Sequence, residues 1–452
     1  MKVHFIAIGG SAMHNLAIAL AKSGDQVSGS DDEIVEPSKS RLQRYGLLPA
    51  EEGWFPEKIS ADLDAVILGM HARMDNPELK RANELGLKVY SYPEYIYERT
   101  KNKTRIVIGG SHGKTTITSM VLHALNKNGI PHDYMVGAQL EGYECMVGFS
   151  DDSKLAVIEG DEYLSSPEDR RPKFHLYQPH IALISGIAWD HINVFPTFEI
   201  YVDQFRKFID LIEEGGTLVY FEGDQELTSI VPQHGNNINK ISYQAFPNVT
   251  RDGITYLLHD SKEIPLLIFG DHNMQNLNGA RWVCESAGMK LDSFLDAMKS
   301  FKGAARRLEL VKKNDTCSIY KDFAHSPSKL KATTAAVKNQ FPQRKLIACM
   351  ELHTFSSLTE EFLKEYKDSM KLADIAFVYF NPHTIAHKKL KSIEPETVQQ
   401  SFGTSNVRVF TDSNTLVNEL QEMKWEDSNL LLMTSGNFDG VDFNRLADQL
   451  IS

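Results

Sequence analysis

The stretch Arg105-Ile-Val-Ile-Gly-Gly-Ser-His-Gly-Lys-Thr-Thr116 decides the fold of the chain around it. An apolar run typical of a buried strand ends at paired glycines, and apolar residues then recur at helical spacing. The helical stripe ends at Gly129, because glycine readily closes a helix. Its apolar residues are Ile117, Met120, Val121, Ala124 and Leu125. The pattern predicts a strand, a glycine turn and a helix in direct succession.

This order is the context in which a glycine turn binds phosphate. Glycines let backbone N–H groups approach phosphate oxygens, and the helix N-terminus adds free N–H groups and the positive end of its dipole. The side chain of Lys114 can reach the β- and γ-phosphates, and the hydroxyl of Thr115 can bind Mg²⁺. The residues predicted to bind the nucleotide are Gly110, Ser111, His112, Gly113, Lys114, Thr115 and Thr116.

The loop is a shortened form of the usual G-x-x-x-x-G-K-[ST] pattern. Ile108 occupies the position of the first glycine, so the loop reads G-x-x-G-K-T from Gly110 to Thr115. An ordinary turn that happens to contain Gly-Lys-Thr is the alternative, and the strand and helix flanks argue against it. Alone, the loop predicts ATP or GTP binding and indicates nothing about the reaction.

Length and composition narrow the class of protein. With 452 residues the chain is too long for one core, and roughly two to four domains are expected. It contains no apolar run of about eighteen residues, so we expect no membrane insertion. Its four cysteines are widely scattered, which suits a reducing compartment, so we expect a cytoplasmic protein. The net charge of −12 argues against general binding to nucleic acid.

The chain begins with a second glycine turn. Strands are expected at residues 3–8 and 26–30, with a helix between them, which is a dinucleotide-type unit. The fingerprint is degenerate, Ala7-x-Gly9-x-x-Ala12, and is weak evidence for a nicotinamide cofactor. A nucleotide diphosphate on the helix N-terminus and a purely structural turn are the two other readings. The first domain is predicted to end near residue 100.

Two further strands carry polar residues at their ends. The strand over 155–158 leads into Glu159-Gly-Asp-Glu162, whose carboxylates would repel one another unless a cation lies among them. The strand over 181–184 leads towards Asp190-His191. A solvated acidic turn and an ordinary packed histidine are the alternatives. Proximity to the phosphate loop and the pairing of His191 with Glu162 favour a functional site.

The region after residue 216 is expected to differ. Short strand-like pieces at 217–221, 254–258 and 264–269 predict an antiparallel appendage on the central sheet. A helix then opens with Gly270-Asp-His-Asn-Met-Gln-Asn276. Asn273 and Asn276 could hydrogen-bond a base or ribose, although asparagines at helix starts are usually caps.

The last third predicts another α/β domain. Gly303-Ala-Ala-Arg-Arg307 interrupts the pattern, and its arginines could close over a transferred phosphoryl group or form a hydrated linker. Strands then alternate with helices, and the first of them ends in Asp322-Phe-Ala-His325. We predict an α/β protein of three domains: Rossmann-like over 1–100, a phosphate-loop domain with a parallel sheet and a small antiparallel appendage over 101–303, and Rossmann-like α/β over 304–452.

Together these motifs resemble the Mur ligases of peptidoglycan synthesis, which are ATP-dependent amide-forming enzymes of three domains. The N-terminal Ile8-Gly-Gly-Ser-Ala-Met13 and Gly29-Ser-Asp31 are similar to the members that use UDP-N-acetylmuramate, namely the L-alanine-adding and the peptide-recycling branches. The resemblance to the peptide-recycling branch is carried by Asp161-Glu-Tyr163, Arg170-Arg-Pro-Lys-Phe174, Asp322-Phe-Ala-His325 and Met433-x-x-Gly-x-Phe438.

Several positions depart from the family pattern. Gly186 replaces an asparagine, and Ser326 replaces the second histidine of His-His-Pro. The His-Arg-aromatic-x-Arg segment of the L-alanine-adding branch, associated with the amino-acid carboxylate, reads His353-Thr-Phe-Ser-Ser357. The loss of both arginines argues against L-alanine as the sole acceptor.

The resemblance implies a mechanism in which ATP activates the lactyl carboxylate of UDP-N-acetylmuramate as an acyl phosphate, which an amine then attacks. It implies catalytic roles for Lys114, Glu162, His191 and Arg307. It also implies that Thr115, Glu162 and His191 bind the metal, and His191 could act through a water. Adenosine contacts fall to Asn273, Asn276 and Asp322. The UDP-sugar site comprises Gly9, Gly10, Ser11, Ala12, Met13, Ser30 and Asp31, and the acceptor region comprises His325 and His353.

The expected partners are ATP, Mg²⁺, UDP-N-acetylmuramate and an amino-acid or peptide acceptor, for which L-alanyl-γ-D-glutamyl-meso-diaminopimelate is favoured over L-alanine. The chain is expected to be a monomer or homodimer. Three rival functions remain at this stage: a nicotinamide oxidoreductase, a non-catalytic UDP-sugar-binding regulator and a folylpolyglutamate-type ligase. The last should lack the glycine-rich first domain.

Overall fold

The computed structural model describes residues 1–70, 72–166, 169–189, 194–305, 307–403 and 406–451. It divides into two compact units. The first comprises Met1–Ala245 and Gln275–Met298, and the second comprises Phe246–Met274 and Lys299–Ser452. Across the described residues, no helix has the length and apolar character needed to cross a bilayer.

The first unit begins with a four-stranded parallel sheet in the order β2-β1-β3-β4. Its strands are β1 (Lys2–Ile6), β2 (Gln26–Ser30), β3 (Ala65–Leu68) and β4 (Val89–Ser91). Its helices are α1 (Ser11–Lys22), α2 (Ser38–Arg44), α3 (Pro77–Glu84) and α4 (Tyr92–Thr100). The Asn76 side chain caps α3 by accepting hydrogen bonds from the N–H groups of Glu78 and Leu79.

The same unit contains a seven-stranded sheet in the order β11-β10-β9-β5-β8-β6-β7, parallel except at β7. Its strands are β5 (Thr104–Gly109), β6 (His132–Met135), β7 (Val147–Gly148), β8 (Leu155–Glu159), β9 (Ile181–Ile184), β10 (Thr217–Phe221) and β11 (Asn239–Tyr243). Its helices are α5 (Lys114–Lys127), α6 (Phe198–Asp210), α7 (Gln225–Ile230) and α9 (Leu291–Met298). Helix α8 (Asp271–Ser286) belongs to this unit from Gln275 onward.

One sequence prediction about this sheet is wrong. The segment Thr217–Phe221 is not part of an antiparallel appendage, because β10 pairs in parallel with both β9 and β11. Its central residues Leu218 and Val219 are fully buried. A short apolar run bounded by turns fits a buried parallel strand as well as a hairpin strand, so the pattern alone could not separate them.

The second unit opens with the antiparallel appendage, a three-stranded sheet of β12 (Asn248–Arg251), β13 (Ile254–His259) and β14 (Lys262–Leu266). A six-stranded sheet follows in the order β15-β16-β20-β17-β18-β19, parallel except at β15. Its strands are β15 (Glu309–Lys313), β16 (Cys317–Asp322), β17 (Lys345–Glu351), β18 (Ile375–Tyr379), β19 (Val407–Phe410) and β20 (Ser428–Met433). Its helices are α10 (Pro327–Gln340), α11 (Glu360–Leu363), α12 (Pro382–His387), α13 (Pro395–Phe402), α14 (Ser413–Glu422) and α15 (Phe443–Leu450).

The predicted α/β fold class is therefore confirmed. Strand β5 lies between β8 and β9, so the carboxyl ends of these three strands meet at one edge of the central sheet. Functional groups of open α/β sheets gather at such an edge. Phe174 packs beneath it, stacked on Phe208 with ring centroids 4.4 Å apart, and both side chains are fully buried.

Candidate active site

The turn after β5 can be formed only by glycine at two positions. Gly110 has φ +115° and Gly113 has φ +77°, backbone conformations that side chains disfavour. A Cβ at Gly110 would lie 2.3 Å from Ser185 Oγ, and one at Gly113 would lie 2.3 Å from Asn276 Oδ1. The loop is thus closely packed, and it brings Asn276 of helix α8 against the start of α5.

Lys114 is the central cation of the site. Its Nζ lies 2.9 and 2.7 Å from the two carboxylate oxygens of Glu162 and 2.7 Å from the carbonyl oxygen of Gly110. Glu162 is 1 % exposed, whereas the Lys114 side chain keeps 18 % of its surface. A buried carboxylate needs such a partner, because an unpaired one would be strongly destabilised.

The charges around Lys114 change the pKa of its ammonium group. Burial opposes the ammonium charge, but the carboxylates of Glu162 and Asp161 outweigh that effect and raise the pKa of Lys114. Burial also raises the pKa of Glu162, and the nearby ammonium only partly offsets it. Lys114 therefore stays charged at neutral pH and can neutralise an anion brought into the loop.

Thr115 is held by a residue to which the sequence assigned no individual role. Its hydroxyl donates to Oε1 of Glu159 over 2.8 Å, and Oε2 of Glu159 accepts the N–H of Gly137 over 2.9 Å. Glu159 ends β8, the strand beside the phosphate-loop strand. The strand-end acidic pattern pointed to this segment, but nothing in the sequence indicated Gly137, which comes from the loop after β6.

Asp161 completes the acidic segment. Its Oδ2 lies 2.7 Å from Nζ of Lys173, and the N–H of Phe174 donates to its carbonyl oxygen over 3.1 Å. Burial disfavours its charge, but Lys173 and Lys114 lower its pKa. The segment after β8 is therefore fixed from two sides, by Lys114 and by the short helical turn beginning at Lys173.

The remaining predicted loop residues help to shape the turn. The Ser111 N–H donates to the carbonyl oxygen of Gly186, and its hydroxyl lies 2.9 Å from that of Tyr201. The His112 carbonyl oxygen accepts a hydrogen bond from the Ser185 hydroxyl. Thr116 is buried in the first turn of α5.

The donor atoms suit a hard cation. Thr115, Glu159 and Glu162 offer oxygen ligands, which Mg²⁺ prefers. Among the described residues there is no cluster of three or more His, Cys, Asp and Glu side chains arranged to hold a metal ion. Mg²⁺ usually takes one or two protein carboxylates together with phosphate oxygens and waters. The predicted ligand His191, with Asp190, lies outside the described residues.

The N-terminal glycine turn has a different design. The Gly9 N–H donates to Oδ2 of Asp31 over 2.7 Å, so this N–H already has a partner within the chain. Gly10 caps α1, and Ser11, Ala12 and Met13 form its first turn. Burial raises the pKa of Asp31.

Ser30, the residue before Asp31, is fully buried at the end of β2. Its hydroxyl oxygen accepts a hydrogen bond from Nζ of Lys58 over 3.2 Å. The two predicted parts of the UDP-sugar site, at the ends of β1 and β2, are therefore brought together.

In the second unit, Asp322 ends β16 and is 9 % exposed. Its Oδ2 accepts the N–H of Leu308 over 2.6 Å. Burial raises its pKa, and the charges of Arg307 and His272 act in the opposite direction. The Arg307 guanidinium lies 4.7 Å from the ring centroid of Phe323. Arg306 is outside the described residues.

Asn273 lies in the first turn of α8, where its amide donates to the carbonyl oxygen of Phe269 over 2.8 Å. This contact is not a helix cap, because a capping side chain accepts a backbone N–H with its oxygen. His325 Nδ1 lies 2.9 Å from the carbonyl oxygen of Phe323. His353 follows β17, with Nδ1 3.5 Å from Oε1 of Glu351.

Three family profiles match successive parts of the chain. Residues 2–104 match the profile described as Mur ligase family, catalytic domain, residues 108–284 match the Mur ligase middle domain, and residues 306–436 match the Mur ligase, glutamate ligase domain. The three matches follow one another in chain order.

A curated relative gives the same family, and two solved structures share the fold. A UDP-N-acetylmuramate–L-alanine ligase of Caldicellulosiruptor bescii is 32 % identical over 392 residues, covering 83 % of each chain. The UDP-N-acetylmuramate-alanine ligase of Thermotoga maritima shares the fold at a TM-score of 0.70 and 20 % identity, covering 100 % of this chain and 98 % of that one. A murein peptide ligase of Psychrobacter arcticus does so at 0.62 and 22 %, with the same coverage.

The three domain matches follow in order, and the C. bescii relative is 32 % identical over most of both chains. Both findings agree with a phosphate loop whose lysine is paired with a glutamate near a strand end. The chain belongs to the Mur ligase family, the ATP-dependent, ADP-forming amide ligases of peptidoglycan synthesis.

Proposed function

We propose that this enzyme joins the lactyl carboxylate of UDP-N-acetylmuramate to the free amine of L-alanyl-γ-D-glutamyl-meso-diaminopimelate, through an acyl phosphate, in peptidoglycan recycling. The single observation that carries the ligase chemistry is the contact of Lys114 Nζ with both oxygens of the buried Glu162. It supports the proposal because the reaction needs a positive charge where two anions, a carboxylate and a phosphate, are brought together.

The first step needs charge neutralisation more than covalent help from the protein. Lys114 would bind the β- and γ-phosphates, and the N–H groups of the Gly110–Thr116 loop would cradle them. Thr115 and Glu162, with Glu159 behind Thr115, would hold Mg²⁺, which when bound offsets phosphate charge. We assign His191 to the same cluster, near the substrate carboxylate.

The other predicted residues take roles in binding. Gly9 to Met13, with Ser30 and Asp31, would hold the UDP part of the sugar nucleotide. Asn273 and Asn276 would contact adenine and Asp322 the ribose, while Arg307 would stabilise the phosphoryl group in transfer. His325 and His353 would lie in the acceptor region of a C-terminal domain over 304–452. A cytoplasmic monomer or homodimer suits these substrates.

L-alanine is the second candidate acceptor, and a specific observation favours it. The C. bescii relative, at 32 % identity, is a UDP-N-acetylmuramate–L-alanine ligase. The peptide acceptor is supported by the sequence His353-Thr-Phe-Ser-Ser357, which offers no arginine for an amino-acid carboxylate. The two candidates differ only in the amine that attacks the same acyl phosphate.

The deciding experiment is phosphate release from ATP, Mg²⁺ and UDP-N-acetylmuramate, run in parallel with the tripeptide and with L-alanine, with each product identified by mass. We expect release with the tripeptide only. Release with L-alanine only would replace the acceptor and leave the ligase chemistry standing. Silence with both acceptors would overturn the proposed substrates.

A further inference from the structure

A buried carboxylate ends β17 in the second unit. Glu351 is 3 % exposed, and its Oε2 accepts hydrogen bonds from the Thr434 hydroxyl and, over 3.0 Å, from the Phe438 N–H. Both donors follow β20, the strand that pairs with β17. Two donors on one oxygen fix the side chain and leave Oε1 for a different partner.

The segment after β20 packs closely over this carboxylate. The Gly436 N–H donates to the Thr434 hydroxyl over 2.6 Å, so that hydroxyl bridges the segment and Glu351. A Cβ at Gly436 would lie 2.8 Å from Oε2 of Glu351 and 2.8 Å from Nδ1 of His353. The backbone at Gly436 therefore approaches both side chains, and the segment after β20 fixes the Glu351 side chain by contact as well as by hydrogen bonds.

The free oxygen of Glu351 faces an imidazole. Its Oε1 lies 3.5 Å from Nδ1 of His353, whose side chain is 39 % exposed. A carboxylate beside Nδ1 favours a proton on that nitrogen and leaves Nε2 as a proton acceptor. The separation is longer than a tight hydrogen bond, which is common in catalytic pairs before substrate binds.

Tyr379, which pairs with Glu351 across β17 and β18, is not a better base. Burial, reinforced by the charges of Asp439 and Glu351, raises the pKa of Tyr379 to about 12. Asp412 adds to the same effect from the end of β19. Tyr379 therefore stays protonated at neutral pH. Histidine is the side chain that most often acts as a general base, and His353 supplies an imidazole here.

Amide formation creates a need for such a group. An aliphatic amine is an ammonium ion at neutral pH, and an ammonium nitrogen has no lone pair with which to attack an acyl phosphate. Imidazole backed by a carboxylate is a recurring solution, because the carboxylate orients the ring and stabilises the imidazolium that forms.

We propose that His353 removes a proton from the acceptor's ammonium group and that Glu351 is the residue that positions it, an inference that rests on the proposed function. The ammonium N–H proton passes to Nε2. The nitrogen lone pair then forms a bond to the acyl carbon, and the bond between that carbon and the phosphate oxygen breaks as phosphate departs with the electron pair. The departing phosphate takes the second N–H proton, and His353 returns its proton to solvent.

Hydroxylamine separates this role from a structural one, because it is largely unprotonated at neutral pH and needs no base. The experiment measures phosphate release from UDP-N-acetylmuramate and ATP with the peptide acceptor and, separately, with hydroxylamine. For His353→Asn we expect about a 100-fold lower kcat with the peptide, near-normal hydroxamate formation, and a defect that shrinks as pH rises. For Glu351→Gln we expect the same pattern at about 10-fold.

Matched controls are His387→Asn and Glu360→Gln, exposed residues of the same unit, which should behave like the unmodified enzyme. Equal losses with peptide and hydroxylamine, full activity of His353→Asn, or a peptide defect that high pH does not relieve would each overturn the dyad alone. No hydroxamate from the unmodified enzyme would overturn the acyl-phosphate mechanism and the dyad with it.

Discussion

The two glycine turns of the first unit follow the same plan and are completed in opposite ways. Each joins a parallel strand to a helix, at Gly9–Gly10 and at Gly110–Gly113. In the first turn a carboxylate of the chain, Asp31, takes the Gly9 N–H over 2.7 Å. In the second, Lys114 lies in the loop and is itself held by Glu162.

The two turns therefore offer an anion different surroundings. In the first turn the Asp31 carboxyl already takes one N–H and can accept hydroxyl groups, which leaves the N–H groups at the start of α1 as the donors for an anion. The second carries a cation held by a carboxylate, which is the arrangement needed where phosphate charge changes during a reaction.

Removing the cation should have the largest effect. Lys114→Ala should lower kcat by about 100- to 1000-fold, because the charge that neutralises the transferring phosphate is lost. The measurement is steady-state phosphate release at saturating ATP. Lys127→Ala, at the other end of α5, is the control and should keep its activity. Near-normal turnover of Lys114→Ala would remove the distinction between the two turns.

Replacing a glycine by alanine should destabilise the protein at Gly113 of the second turn but not at Gly10 of the first. Gly113→Ala places a residue at φ +77° and drives its Cβ to 2.3 Å from Asn276 Oδ1. We expect a loss of about 1–3 kcal/mol in stability, seen as a lower Tm, and weaker ATP binding by calorimetry.

Two controls divide that effect into its causes. Gly129→Ala has φ +64° with open space around its Cβ, and so reports backbone strain alone. Gly10→Ala has φ −56° and would meet its nearest neighbour, Met13, at 3.4 Å, so its Tm should hardly change. A drop for Gly113→Ala no larger than that for Gly129→Ala would mean that contact with Asn276 is unimportant.

These glycines also show how far sequence reasoning reaches. Gly110, Gly113 and Lys114 were predictable because a phosphate loop is local: a strand, a turn and a helix lie within one short stretch. Asp31 was assigned to the UDP-sugar site, but its bond to Gly9 was not foreseen, because it joins residues 22 positions apart. Long-range hydrogen bonds leave no periodic signal in a single sequence.

The same limit explains what was missed or misassigned. The contacts of Glu159 with Thr115 and Gly137 depend on β6 and β8 lying side by side, and the sequence analysis did not predict β6. Strand β10 was placed in the wrong sheet, because apolar runs do not report their pairing partners. The fold class was predictable, whereas the supports of the site required the sheet order.

Weakening the hydrogen bonds that Glu159 accepts should have a smaller effect than removing Lys114. The Glu159 carboxylate accepts from both Thr115 and Gly137, whereas the amide of Glu159→Gln can accept with one oxygen only. We expect about a 10-fold loss of Mg²⁺ affinity, measured as the Mg²⁺ dependence of ATP binding rather than as turnover. Glu141→Gln, on an exposed turn, is the control. An unchanged Mg²⁺ dependence would leave Glu159 with a purely structural role.

The smallest effect should come from the carboxylate of the first turn, and its sign depends on pH. Burial raises the pKa of Asp31, so folding favours its protonated form, and this contribution to stability is lost as pH rises through the raised pKa. Asp31→Asn keeps an oxygen for the Gly9 N–H without the charge. It should therefore raise the Tm at neutral pH, by at most about 1 kcal/mol of stability, and the gain should vanish in acid.

Asp62 provides the opposite case on the same domain. The Lys2 ammonium lowers the pKa of Asp62 to about 2, so its contribution to stability is present above the ordinary carboxyl range and is lost as pH falls through the lowered pKa. Asp62→Asn should therefore lower the Tm slightly at neutral pH, and that loss should also vanish in acid. Thermal unfolding of both variants from neutral pH into acid should therefore give changes in Tm of opposite sign at neutral pH. If Asp31→Asn instead loses stability at neutral pH, its negative charge stabilises the first turn, and the electrostatic contrast with the lysine-bearing loop is wrong.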